Sequence, residues 1–201
     1  MGTNSETDRD FELRLLRRAD AGDTAALETI FNQYHARLKT MVRLRLNRRL
    51  QGRVDASDIV QEAYIESSKR LKSYLQAPSL PFFLWLRTIT IQKLVDAHRR
   101  HLSSQKRNAD REISLNRGGS PAASSAALAA QLLGRMTSPT QKAIKAELRR
   151  QVQDALANLD ETDREVLVLR HFEQLSNAET AQVLGISASG TSSRYIRALK
   201  R

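Results

Sequence analysis

Cysteine is absent from the 201 residues. That excludes disulfides, thiolate zinc sites, iron–sulfur clusters and cysteine nucleophiles together. Aromatic residues make up only 5% of the chain, which argues against a base-stacking platform for single strands. No apolar run approaches the roughly 18 residues of a membrane span. The first twenty residues mix acids with arginine and lack the apolar core of a signal peptide. No glycine-rich phosphate loop and no serine-centred elbow is present. The chain is therefore expected in the cytoplasm, away from membranes. What it has in excess is positive charge. Lys and Arg total 33 against 22 Asp and Glu, a net +11, with a pI near 10.5. Such a balance points first to nucleic acid and then to an anionic membrane. With 40% apolar and 27% charged residues, the composition supports a packed core rather than a disordered tail.

Apolar residues recur at helical spacing almost throughout, and no convincing period-two strand appears. Leu27, Ile30, Phe31, Tyr34, Leu38, Met41 and Val42 define one long amphipathic helix. A second is expected from about Ala56 to Lys72. A third begins after Pro81, a residue suited to a first helical turn. It carries Phe82, Phe83, Trp85, Leu86, Ile89, Leu94 and Val95, and it ends in His98-Arg99-Arg100-His101. Phe82, Leu86 and Ile89 are expected in the core. Composition changes at Ser103: from there to Pro139 lie seven Ser, seven Ala, three Gly and two Pro, with a breaker at Gly118-Gly119-Ser120-Pro121. This stretch reads as a linker without a continuous apolar stripe, in which Ala126 to Leu133 can form a short helix. Helical pattern resumes with Ile144, Leu148, Val152 and Leu156. The expected fold is all-α, with two small helical domains at 1–102 and 140–201 joined by 103–139.

The C-terminal domain carries a helix-turn-helix pattern. Thr162 with Glu165, and Ser176 with Glu179, fit capping boxes. The second box opens a short helix, Asn177 to Leu184. Small Ala181 lets a neighbouring helix cross closely, Gly185 allows a left-handed stop, and Ser187 caps the next helix. That last helix carries Arg194, Arg197, Lys200 and Arg201 and no acid. Its first turns are rich in Ser and Thr, short donors suited to base edges and phosphates. Tyr195 and Leu199 are expected to pack inward. The plainer alternative is a helical hairpin with a solvated basic end.

The N-terminal domain holds an opposed charge pattern. Seven basic residues and no acid lie between His35 and Arg53. Then come Asp55, Asp58, Glu62 and Glu66, whose spacing places them on one helix face. Acid repels phosphate, so the stripe either meets a basic protein surface or is a solvated face. Lys93, Arg99 and Arg100, with Trp85 and the Phe82-Phe83 pair, form a mixed basic and aromatic set that suits a melted strand. A catalytic site is hard to assemble. His98 and His101 share a helix face, but Asp96 faces elsewhere and no carboxylate completes a metal site. No metal and no cofactor is expected.

Taken as a set, these residues resemble the sigma-70 family. Asp55-Ala56-Ser57-Asp58-Ile59-Val60-Gln61-Glu62-Ala63-Tyr64 is similar to the helix by which those factors bind core RNA polymerase. Pro81 to Ile89, followed by Asp96-Ala97-His98-Arg99-Arg100, resembles region 2. Leu159 to Leu167, running on to Leu184-Gly185-Ile186-Ser187, resembles region 4. The order is that of the two-domain, extracytoplasmic-function type. The resemblance implies that Asp55, Asp58, Ile59, Gln61 and Glu62 dock on core polymerase. It implies that the Leu71–Pro81 loop traps a flipped base of the −10 element. Trp85, Lys93, Asp96, Arg99 and Arg100 would line the surface where the promoter opens. Ser187, Ser189, Ser192, Ser193, Arg194 and Arg197 would face the −35 element. The chain departs from the family at Thr191, where an aliphatic is usual. The implied function is a sigma factor, not an enzyme, and a monomer when free. Its implied partners are core RNA polymerase, promoter DNA and an anti-sigma factor. The rival readings are a stand-alone helix-turn-helix regulator, in which the acidic stripe has no task, and a helical nuclease or recombinase, which lacks a third metal ligand near Asp55 and Asp58.

Overall fold

A computed structural model describes residues 6–47, 49–103, 120–133 and 142–200. Among these residues there is no β-strand. The helices are α1 (Glu6–Asp20), α2 (Thr24–Arg45), α3 (Ala56–Gln76), α4 (Phe82–Ser103), α5 (Ser125–Leu133), α6 (Lys142–Ala157), α7 (Glu161–Leu167), α8 (Asn177–Leu184) and α9 (Ala188–Lys200), with a π-helical turn over Val168–Phe172 after α7. The chain divides into two compact units. One takes Met1–Val42 and Arg48–Ala109; the other takes Arg43–Asn47 and Asp110–Arg201. The all-α expectation holds. The expected breaker at 118–119, the side chain of Ile144 and the terminal Arg201 lie outside the described residues.

In the first unit, α2 forms where the apolar spacing places it. Ala26, Ile30, Phe31, Tyr34, Leu38, Met41 and Val42 are all buried, the inward stripe of an amphipathic helix. Asp23 starts it, accepting from the Ala26 N–H at 3.0 Å and from Arg18 at 2.7 Å. Those two donors hold the Asp23 carboxyl below the usual carboxylate range. The helix α1, which composition does not announce, buries Leu15 and Leu16, and its Glu12 accepts from the Tyr34 hydroxyl. Helix α3 buries Ile59, Val60, Ala63, Leu71 and Tyr74 and packs along α4, which buries Phe82, Phe83, Leu86, Ile89 and Leu94. Phe82, Leu86 and Ile89 are thus core as expected. An aromatic cluster joins these helices: Phe31 lies 4.4 Å from Tyr64, Tyr34 lies 5.1 Å from Phe83, and Tyr74 stacks on Trp85 at 4.6 Å. The Arg37 guanidinium sits 3.7 Å over the Phe83 ring.

Helix α3 runs to Gln76, so Leu71 to Gln76 are its last turns. The loop expected over Leu71–Pro81 is confined to residues 77–81. The Tyr74 hydroxyl donates to the Leu80 carbonyl at 3.0 Å and ties that short loop to the helix it leaves. Burial, with Glu12 adding, pushes the Tyr74 phenol up to about 12.

In the second unit, Leu44, Ala123, Leu128, Leu156, Leu159, Val168 and Ala198 form one apolar cluster. The described part of the expected linker is therefore not an unpacked strap. The short helix foreseen at Ala126–Leu133 is present as α5, and its Leu128 and Ala129 are buried. Leu128 joins the apolar cluster through partners distant in sequence, which a reading of the stretch by itself overlooks. Within this unit Arg45 is fully buried between Glu165 and Glu173, hydrogen-bonded to the first and 2.5 Å from the second. Desolvation opposes its charge, but the two carboxylates outweigh that and hold its pKa above the ordinary arginine value. Glu165 is therefore not part of a capping box with Thr162. Helix α7 is capped by Asp160, which accepts from the N–H groups of Thr162 and Asp163 at 2.9 and 3.3 Å. An Asx cap two residues earlier wins over the Thr, and Glu165 is left free for the interior.

The turn between α8 and α9 follows its expected chemistry. Ser176 and Glu179 form the reciprocal capping box. Gly185 sits at φ 63° and ψ 34°, and its N–H reaches the Ala181 carbonyl, a left-handed stop. The Ser187 hydroxyl accepts from the Gly190 N–H at 3.0 Å. Thr191 is fully buried, and its hydroxyl donates to the Ser187 carbonyl at 3.1 Å. A polar residue thus fits where an aliphatic is usual, because the helix itself satisfies its hydroxyl.

Candidate nucleic-acid interface

The acidic face of α3 is built by its N-cap. Asp55, in extended backbone geometry, accepts from the Ser57 N–H at 2.8 Å. Starting the helix there sets the phase, so that Ala56, Ile59, Val60 and Ala63 turn inward and Asp58, Gln61 and Glu62 turn outward. Of the five residues expected to dock on polymerase, Ile59 is 1% exposed and belongs to the core. Asp55, Asp58 and Gln61 are exposed, and Glu62 is partly so.

Two members of the acidic stripe already have cations from α4. Glu62 accepts from Arg100 with both oxygens at 3.1 Å. Glu66 lies 3.3 Å from Lys93 and 2.6 Å from Arg70. The Lys93 bond, then the Arg70 bond, hold the Glu66 carboxyl below its usual range. The stripe and the basic surface therefore meet along one seam within the unit. Arg99 and Asp96 are exposed on α4, while His98 is buried. Burial depresses the His98 pKa. Trp85 is half-buried, against Tyr74 and 5.5 Å from Phe82. Among the described residues no group of three or more His, Cys, Asp or Glu is placed to hold a metal ion. Among them, too, no helix is long and apolar enough to cross a membrane.

Ser187, just before α9, and Ser189, Ser192, Ser193 and Arg197 on it are exposed, and Thr191 and Ala198 are buried. The expected inward pair is corrected: Leu199 is 60% exposed, and the inward positions are Thr191 and Ala198. Tyr195 is half-buried beside Arg170, whose guanidinium lies 5.5 Å from its ring. Arg194 does not point outward. It donates to Asp163 at 2.6 Å and to Asp160 at 3.3 Å. Arg197 is half exposed, with its nearest approach to Asp163 at 3.8 Å. Asp163 as a partner of α9 escapes sequence reading, since nothing in the order of residues pairs positions 31 apart.

A helical unit with an acidic face and adjoining cations, together with a helix-turn-helix unit, is the outline of a two-part promoter-binding protein. A family model described as ECF sigma factor matches residues 12–200. The chain belongs to the ECF sigma factor family. This sigma factor is 25% identical over 184 residues to the ECF RNA polymerase sigma-E factor of Haemophilus influenzae, covering 92% of this chain and 89% of that one. It is 27% identical over 173 residues to the RNA polymerase sigma factor YlaC of Bacillus subtilis, covering 86% and 87%. The solved structure of CnrH in complex with the cytosolic domain of CnrY shows the same fold: its matched chain has a TM-score of 0.55 at 22% identity, with 95% of this chain and 94% of that chain covered. The sigma factor directs promoter-specific initiation of transcription with RNA polymerase, and the reading as a stand-alone regulator is not favoured. Its family is not an enzyme family.

Proposed function

We propose a division of labour between the units of this sigma factor. The Asp55, Asp58, Gln61 and Glu62 face of α3 docks on core RNA polymerase. Lys93, Arg99 and Arg100, with Asp96 and Trp85 beside them, hold the opened −10 strand. Ser187, Ser189, Ser192, Ser193 and Arg197 present α9 to the −35 duplex. Residues 1–102 thus carry the first two tasks and 140–201 the third. The protein works in the cytoplasm, does no bond chemistry itself and is a monomer when free. CnrH, the relative of known fold, is held by the cytosolic domain of CnrY, and a comparable anti-sigma protein restrains this chain.

The observation that carries this reading is the acidic face on a protein of net charge +11. Asp58 and its neighbours repel phosphate but complement a basic protein surface. Asp58 is exposed, and no ion pair engages it among the described residues, so Asp58→Lys is a cleaner probe than a change at Glu62, which would also release Arg100. A like-charge contact at an interface costs on the order of several kcal/mol. Core polymerase titrated against labelled full-length protein is expected to lose affinity for Asp58→Lys while circular dichroism is unchanged. Equal affinity for the variant and the parent would remove this face from the interface.

A further inference from the structure

Arg194 lies on the helix that the preceding reading sends into promoter DNA, yet its guanidinium faces the protein. One nitrogen, Nη1, serves both Asp163 at 2.6 Å and Asp160 at 3.3 Å. Asp163 is 1% exposed. Asp160 is the N-cap of α7 and Asp163 follows one turn later, so both carboxylates sit at the positive end of that helix. Burial alone pushes the Asp160 carboxyl upward. The Thr162 and Asp163 N–H groups and Arg194 outweigh it and hold the carboxyl below the usual range. A buried carboxylate needs its cation: pulling Arg194 out to a phosphate would strip Asp163 of its short hydrogen bond and leave only the longer approach of Arg197 at 3.8 Å. Arg197 differs. Its approach to Asp163, 3.8 Å, is longer than a hydrogen bond, and half of its side chain is exposed, so a phosphate can take it at little cost.

We infer that Arg194 is a positioning residue, not a DNA contact. Resting on the assignment of α9 to the −35 element, Arg194 and the Asp160–Asp163 pair lock the rotation of α9 against α7. That lock turns Ser189, Ser192, Ser193 and Arg197 toward the groove. The two roles differ in sign when Asp163 is changed. If Arg194 is a lock, Asp163→Asn weakens promoter binding. If Arg194 is a DNA ligand restrained by Asp163, the same change frees it and strengthens binding.

The test uses full-length protein with core polymerase on duplex promoter DNA, with affinities measured across single-base −35 variants at several salt concentrations. Arg194→Met keeps the apolar stem and removes the charge. It is expected to lose about tenfold or more in affinity, the scale of one charge-assisted hydrogen bond. The loss should come with weaker discrimination among −35 variants, because a rotated helix misplaces the short Ser189, Ser192 and Ser193 hydroxyls together. It should leave the salt slope unchanged, because the long, exposed Arg197 side chain still reaches a phosphate. Arg194→Lys should recover part of both. Arg197→Met should lower the salt slope by about one and leave discrimination intact. Folding is followed by circular dichroism. Where a single variant fails to fold, the double variant Asp163→Asn/Arg194→Met is read in its place, since it leaves no unpaired buried ion; the lock predicts weaker discrimination at an unchanged salt slope, and a DNA ligand predicts a slope lowered by about one. A rise in affinity for Asp163→Asn, or a salt slope lowered by about one in Arg194→Met, makes Arg194 a DNA ligand and overturns the proposal. So does a lowered melting temperature with affinity and discrimination intact, which marks a merely structural pair. If no α9 variant, Arg197→Met included, alters promoter binding, the −35 assignment itself falls and takes the lock with it.

Discussion

Glu62 and Arg100 show how little a single exposed contact decides. Both are more than a third exposed, and such a pair contributes on the order of 0–1 kcal/mol. Either partner is therefore free to exchange for polymerase or for a phosphate. Buried groups behave differently. Arg45, with no exposed side-chain surface, is fixed to Glu165 and Glu173, where removal of the arginine strands two buried carboxylates. His98 is 2% exposed on α4, and burial depresses its pKa. The unfolded chain therefore takes up the proton first. Stability is full above the unfolded value of about 6.5 and declines as pH falls from there toward the lower folded value. Thermal melts of the full-length protein should show the decline below about pH 6.5, and His98→Leu should flatten it over that window. A parent protein whose melting temperature is constant through that range would exclude His98 as the cause.

At the scale of the element, what was legible in the sequence follows from how local each signal is. The limits of α8, Asn177 to Leu184, were readable because Ser176, Glu179 and Gly185 act within one turn. Ser176→Ala removes one of the two bonds in that box and should cost about 1 kcal/mol, read as a lower midpoint in urea with unchanged slope. A midpoint equal to the parent's would mean that the box adds nothing to the folded state. Less local features were not readable. The π-helical turn at Val168–Phe172 continues an apolar run that looks the same at either pitch. The partners of Leu128 on α5 lie in other helices, so its burial had no local signal. Ile59 shares the acidic segment with Asp58 and Glu62, but the Asp55 cap phases it into the core. The pairing of Arg194 with Asp163, and the looser one of Arg100 with Glu62, joins residues far apart in the chain, and only the packed helices reveal it. The exposure of the candidate residues was thus legible where it follows from helix phase, and the tertiary partners of their charges were not.

For the whole molecule, the net charge of +11 gives affinity for any DNA, and salt weakens it. Charge alone does not choose a promoter or open one. Opening requires that a base leave the stack and that the freed strand be held. The exposed cations of α4 suit that task, whereas α9, in the proposed division of labour, would meet an intact duplex. The two steps should therefore separate by mutation. Arg99→Ala/Arg100→Ala removes two cations of the proposed strand-holding surface and also frees the Glu62 carboxylate, which belongs to the proposed docking face. Core binding should survive or tighten slightly, while the −10 segment loses reactivity to permanganate. Trp85 is a poorer probe, since it is half-buried and stacks on Tyr74 at 4.6 Å, which makes truncation a stability change as well. Arg197→Ala should do the reverse of the α4 pair: fewer promoters are occupied, but each occupied promoter is opened to the usual extent. The decisive quantity is permanganate reactivity per bound complex, measured at two salt concentrations so that lost occupancy is not mistaken for lost opening. Full reactivity per complex in the Arg99 and Arg100 double variant would mean that α4 does not hold the melted strand.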